Sequence, residues 1–180
     1  MMPEIAYREP RWAHLLELNI GDAWRARWVK DEELPQDVPV NFAYGVVYLG
    51  DKGYVCRPEG ATVWGTVECE PGPGDVETAL KAAAREQTGA TIEKAVLVGF
   101  LYCKATSLNP DFEAGAPTTR PIFILTASKV GDIPDGSPYQ RRRLPINEHI
   151  KALRERYPEI GAYLSEAAEK YLVLRARGEL

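Results

Sequence analysis

A proline- and glycine-rich turn leading into a capped amphipathic helix, residues 64–90 (WGTVECEPGPGDVETALKAAAREQTGA), constrains this chain more than any other stretch. A short strand-like piece, 64–67, runs into the turn EPGPG. Asp75 stands where a helix N-cap belongs, because its side-chain oxygen can take a free N–H of the first turn. Gly89 can adopt the left-handed conformation that closes a helix. Between them Val76, Ala79, Leu80 and Ala83 form an apolar stripe at helical spacing. Glu77, Lys81 and Arg85 lie on the other face, with Glu77 four residues before Lys81 in the favourable order. The pattern predicts strand, loop, helix, with the helix packed on a sheet.

This unit resembles the Nudix box, the signature of enzymes that cleave a nucleoside diphosphate linked to another group. The family pattern is G, five residues, E, seven residues, then R-E-U-x-E-E-x-G-U, with U apolar. Here EPG is present as Glu70, Pro71 and Gly72, and REQTGA is similar to the family's x-E-E-x-G-U. Aligning both ends leaves one extra residue in the turn. In the family the box glutamates hold a divalent metal that bridges the pyrophosphate, and carboxylates three residues apart share one helix face. The R-E pair falls here on Ala82 and Ala83. Of the closing E-E pair, Glu86 remains and the second position is Gln87, an uncharged amide and a poor Mg2+ ligand. The opening glutamate falls near Pro73 or Gly74, with Asp75 and Glu77 as displaced neighbours, and Thr66 and Val67 occupy the stretch where the family carries paired glycines just before the box.

The rest of the chain reads as strands and helices around that unit. Residues 12–30 predict a hairpin of LLELNI and AWRARWV turning at Gly21 and Asp22. Alternation puts Trp24, Ala26 and Trp28 on one side and Arg25 and Arg27 on the other. Trp24 and Trp28 are read either as the inward face of a half-buried hairpin or, for one of them, as a ring that stacks on a base. By resemblance, N-terminal strands of this kind pair across a homodimer. Residues 31–40 form a charged connector, and two β-rich runs, 42–49 and 54–57, flank Gly50 to Gly53 as a second hairpin. Arg57 then sits where the family often places a basic residue, either as an exposed strand end or as a phosphate contact.

Beyond the box, TIEKAVLVGFLYCKA predicts a long strand interrupted at Gly99, and PIFILTASKV a core strand over 122–127. Residues 107–121 between them are a long loop carrying Asp111, Glu113 and Arg120. In Nudix-like proteins the matching loop helps shape the substrate pocket, and disorder is the competing reading. Arg141, Arg142 and Arg143 lie on a strand, so alternate side chains point to opposite faces and do not make one patch. LPINEHI is similar to the phrase that opens the family's final helix, with Asn147 as its cap. Helices are expected over 147–156 and 158–175, with Pro158 in the first turn of the second.

The predicted fold is mixed α/β (α+β): a Nudix-like α/β/α sandwich with a central mixed sheet, an N-terminal β-hairpin and C-terminal helices. Expected boundaries are 1–40 for the hairpin and connector, 41–157 for the Nudix-like domain and 158–180 for a helix packed on it. The net charge of −4 argues against a nucleic-acid backbone as partner. No apolar run approaches a membrane span, and MMPEIAYREPRW lacks a signal-peptide core, so a cytoplasmic protein is expected. Cys56, Cys69 and Cys103 are far apart, form no C-x-x-C and have only His14 and His149 beside them, so reduced thiols on strands are expected rather than a zinc site.

Three functions remain open. The leading one is binding of a nucleotide or nucleoside-diphosphate-type small molecule without efficient cleavage, with Trp24, Trp28, Arg57 and Arg120 as candidate substrate contacts. The second is a metal-dependent pyrophosphohydrolase, with Mg2+ or Mn2+ held by Glu86 and Glu70 and Glu86 as the catalytic group. Glu68, Asp75, Glu77, Glu93 or Glu113 would then supply displaced carboxylates. The third is a structural or interaction protein.

Overall fold

The computed structural model describes residues 12–180, so the N-terminal phrase read for a signal-peptide core lies, up to residue 11, outside the described residues. Eight strands follow in chain order: β1 (Glu17–Ile20), β2 (Trp24–Lys30), β3 (Ala43–Leu49), β4 (Lys52–Pro58), β5 (Val67–Cys69), β6 (Ala90–Ala105), β7 (Pro117–Val130) and β8 (Tyr139–Pro145). Helix α1 (Val76–Thr88) lies between β5 and β6, and α2 (Ile146–Arg156) and α3 (Gly161–Ala176) follow β8. The strands form one mixed sheet in the order β1-β2-β6-β7-β3-β4-β8. Every pairing is antiparallel except β3 with β7, where Tyr44 stands opposite Ile122.

One detail of the sheet positions the site. The same edge of β3 serves two strands: Ala43, Tyr44 and Gly45 pair with β5, whereas Val47, Tyr48 and Leu49 pair with β4. Strand β4 therefore leaves β3 halfway and continues beside β8. A single bridge, Cys56 to Gly65, spans the gap so opened.

Each face of the sheet has its own apolar layer. Leu80, Ala83 and Ala84 of α1 pack on Val47, Val67, Phe123 and Leu125. On the other face Leu153, Leu164, Ala167, Ala168 and Tyr171 cover Val46, Tyr48, Leu101, Ile122 and Ile124. Tyr171 stacks on Tyr48 with ring centroids 4.3 Å apart. A smaller cluster of Trp12, Val29, Val38, Phe100 and Tyr102 covers β2 and β6 on the side opposite Trp28 and Leu101. The N-terminal hairpin is thus an edge of the same sheet, and α3 covers the same face as α2.

The box helix has its expected ends. Asp75 accepts hydrogen bonds from the Thr78 backbone N (3.0 Å) and Oγ1 (2.7 Å), which hold its carboxyl below the usual carboxylate range. Gly89 closes the helix at φ 76°.

Four expected boundaries move. The strand expected over 64–67 begins at Val67, because Gly65 bridges β4 while Thr66 turns its hydroxyl to the Gly45 carbonyl (2.6 Å). The strand expected over 122–127 runs from Pro117 to Val130, since β6 pairs with it along nearly its whole length; Gly99 marks a register shift in β6 rather than a break. Asn147 lies inside α2, whose N-cap is Pro145 without a side-chain cap bond. Pro158 precedes α3, which starts at Gly161. No helix among the described residues is long and apolar enough to cross a membrane.

His149 of α2 is fully buried, its ring packed on Gly53 and edge-on to Tyr48. Its Nε2 lies 3.2 Å from the Tyr54 carbonyl and its Nδ1 has no partner, so burial pushes its pKa down to about 4. Between pH 6.5 and 4 the unfolded chain binds a proton that the folded chain refuses. Stability is therefore full above pH 6.5 and falls below it, by up to ~3 kcal/mol for this one group; denaturant melts across that range should show the loss, and His149→Gln should flatten it. Gly89→Ala would place a Cβ against the Gly131 carbonyl in a left-handed conformation. A loss of about 2 kcal/mol or more is expected in thermal melts.

Candidate binding cleft

The gap between β4 and β5 is a cavity of about 190 Å3. Its walls come from the end of β4 (Cys56, Arg57), the loop before β5, Glu68 of β5, Gln87 of α1, Tyr139 of β8, and Arg156 and Tyr157 at the end of α2. These residues meet only because the sheet divides at β3.

Gln87 stands at the second position of the closing pair in the box, and its side chain turns inward. Its Nε2 donates to the Glu68 carbonyl (2.8 Å), and its Oε1 accepts from the Glu68 backbone N (3.3 Å) and the Cys56 thiol (3.7 Å). The amide thus acts as one more strand pairing for β5 and ties α1 to it. A carboxylate there could accept but not donate.

The other box carboxylates do not gather. Glu86 and Glu70 are exposed, and Asp75 caps α1. Glu93 and Glu113 are exposed on β6 and on the loop before β7. Among the described residues, no group of three or more His, Cys, Asp and Glu is placed to hold a metal ion. A hard divalent cation takes several oxygen ligands, so this donor set does not fit one. Nor is a thiolate available: burial pushes Cys56 and Cys103 up to about 12 and Cys69 to about 11.

Glu68 is the carboxylate in the cavity wall, and it is engaged. The Tyr157 hydroxyl donates to it in a short hydrogen bond and also accepts from the Thr66 backbone N (3.1 Å). Arg156 Nη2 lies 3.8 Å from it. Burial, and then the Glu68 charge, push the Tyr157 phenol well up, so it remains a neutral donor. Arg57 is half-buried and its guanidinium lies 4.1 Å from the Trp64 ring centroid. Its Nε donates to Gln140 (3.3 Å) and its Nη1 to the Thr62 carbonyl (3.3 Å).

Of the candidate substrate contacts, Arg57 lines this cavity and Trp24 and Arg120 meet each other beyond Tyr44. Arg120 Nη1 lies 3.4 Å from the Tyr44 hydroxyl, and its guanidinium lies 5.6 Å from the Trp24 ring and 5.3 Å from the Phe42 ring. Its Nε has no partner. Such a cation rests on aromatic faces rather than on a carboxylate. Tyr44 also touches Tyr157 edge-on at 5.9 Å, which joins this cluster to the cavity wall. Trp28 is elsewhere: its ring stacks on Tyr163 and its Nε1 donates to Glu166 (2.9 Å).

Glu68, Trp64, Arg156 and Tyr157 escape the sequence reading as members of one site. Glu68 and Tyr157 are 89 positions apart and belong to no shared motif. The only local signal was the β-strand alternation that places Glu68 on the side of β5 away from the buried Val67.

No family model matches the chain. An alignment over 124 positions, which covers 64% of the chain, is 32% identical to myosin light chain kinase 3 of Rattus norvegicus, and it spans 16% of that protein, too small a part to carry an argument about activity. The similar solved structures speak to the fold. The pyrophosphohydrolase BsRppH of Bacillus subtilis superimposes with a TM-score of 0.56 at 14% identity, over 72% of this chain and 77% of that one. The NUDIX domain of Shewanella oneidensis NrtR, complexed with ADP ribose, gives 0.51 at 13% identity, over 78% and 94%. The Ap4A hydrolase of C. elegans, as a binary complex, gives 0.50 at 18% identity, over 74% and 98%. With the box helix, the mixed sheet and its two helical layers in place, this chain has a Nudix-like fold.

Proposed function

We propose that this protein binds a nucleotide or nucleoside-diphosphate-type small molecule in the cleft between β4 and β5 and does not cleave it efficiently. The observation that carries the reading is the Gln87 amide, which closes on both backbone polar groups of Glu68 where the box pattern expects a carboxylate. The structural relative complexed with ADP ribose supports the ligand class. Arg57 is the phosphate contact, and Trp24 and Arg120 are further contacts for the remainder of the ligand. Trp28, held by α3, would act through the placement of that helix.

The competing chemistry is metal-dependent hydrolysis with Glu86 and Glu70 as ligands. Titration with Mn2+ followed by electron paramagnetic resonance, with and without ADP-ribose, separates the two. Free Mn2+ throughout is expected, with ADP-ribose bound in calorimetry and recovered intact after incubation with Mg2+. Metal-dependent turnover that disappears in Glu86→Gln would sink the proposal. Gln87→Ala removes both bonds to Glu68 and leaves a buried edge unpaired. A stability loss of about 1–3 kcal/mol in urea melts is expected, accompanied by weaker ADP-ribose binding.

A further inference from the structure

We infer that the cleft recognises the phosphoryl end of its ligand with two guanidinium groups, Arg57 and Arg156, and without a divalent cation. This rests on the reading of the cleft as a ligand site and adds how the charge is met. Arg57 and Arg156 reach the same cavity from β4 and from the end of α2. Against them stands one lining carboxylate, Glu68, which already receives the Tyr157 hydroxyl and the Arg156 charge. The lining therefore keeps an excess positive charge, which repels a free cation and attracts an anion.

Both guanidiniums are held and both keep donors to offer. Trp64 lies under Arg57, and Gln140 and the Thr62 carbonyl take its Nε and one Nη1 proton, which leaves Nη2 unbonded. Arg156 lies 4.7 Å from the Tyr157 ring, and its contact with Glu68, at 3.8 Å, is an ion pair beyond hydrogen-bond length. A planar fork of N–H donors matches two phosphate oxygens, and charge-assisted bonds of that kind are the strong ones. A phosphate on Arg156 would compete with Glu68 for the same charge.

Size narrows the ligand further. Pockets that enclose a drug-sized molecule have volumes of ~300 Å3 or more, and this cavity has about 190 Å3. It suits a phosphoryl or pyrophosphoryl end, with the rest of the molecule lying outside. Ala61 and Val63 give the wall an apolar side on which that remainder can rest.

The test titrates inorganic pyrophosphate into the full chain by calorimetry, first in EDTA and then with Mg2+, with ADP-ribose titrated in parallel. Binding in EDTA is expected, weakened by added NaCl. Arg57→Gln and Arg156→Gln should each lower the affinity tenfold or more, and Glu68→Gln should raise it several-fold by freeing Arg156. Thermal melts of each variant confirm that it is folded. Pyrophosphate or ADP-ribose binding that requires Mg2+, or that is unchanged in both arginine variants, overturns the two-arginine clamp while the binding reading stands. If neither compound binds with or without Mg2+, both readings fall.

Discussion

The two hydrogen bonds between the Gln87 amide and the backbone of Glu68 hold the box end of the molecule together. Strand β5 is only three residues long and pairs with β3 alone. Without a second partner its outer edge would face the gap left by β4. An amide suits that edge because it both donates and accepts, as another strand would. Gln87 thus supplies a structural bond between helix and strand, and Cys56 of β4 joins it through its thiol.

The electrostatics of this end of the sheet run through buried phenols. Tyr157 ties Glu68 in place, and Tyr44 lies between Tyr157 and Arg120. Burial pushes both phenols up, so neither ionises near neutral pH, and they pass orientation rather than charge from one cluster to the other. Arg120, with aromatic rings in place of a counter-ion, and Arg57, resting on Trp64, follow one pattern: a guanidinium fixed by a π face and left with donors to offer.

The elements legible in the sequence were those specified by neighbours along the chain. Asp75 and Gly89 bound the box helix because caps are local, and the alternation in AWRARWV and the turn at Gly50 gave both hairpins. Boundaries set by distant partners were not legible. The start of β5 depends on Cys56 and Tyr157, and the reach of β7 depends on β6. Asn147 looked like a cap, yet the chain turns into α2 one residue earlier, at Ile146. The cleft was half legible: Arg57 and Gln87 stood out against a motif, whereas Glu68, Arg156 and Tyr157 become a site only when α2 folds over β5.

The parallel pairing of β3 with β7 has a consequence for how the molecule assembles. Tyr44 and its neighbours emerge early in synthesis, while their partners around Ile122 come only after the box helix and the whole of β6. Until then β3, apolar on both faces, has one edge open. Loop closure of that length comes before the contacts that reward it, so folding belongs to the slow regime of non-local sheets, on the order of milliseconds to seconds. The centre of the finished sheet is thus closed late, with only the edge strand β8 still to come, and β3 keeps an open edge, a template for self-association, while β7 is still missing.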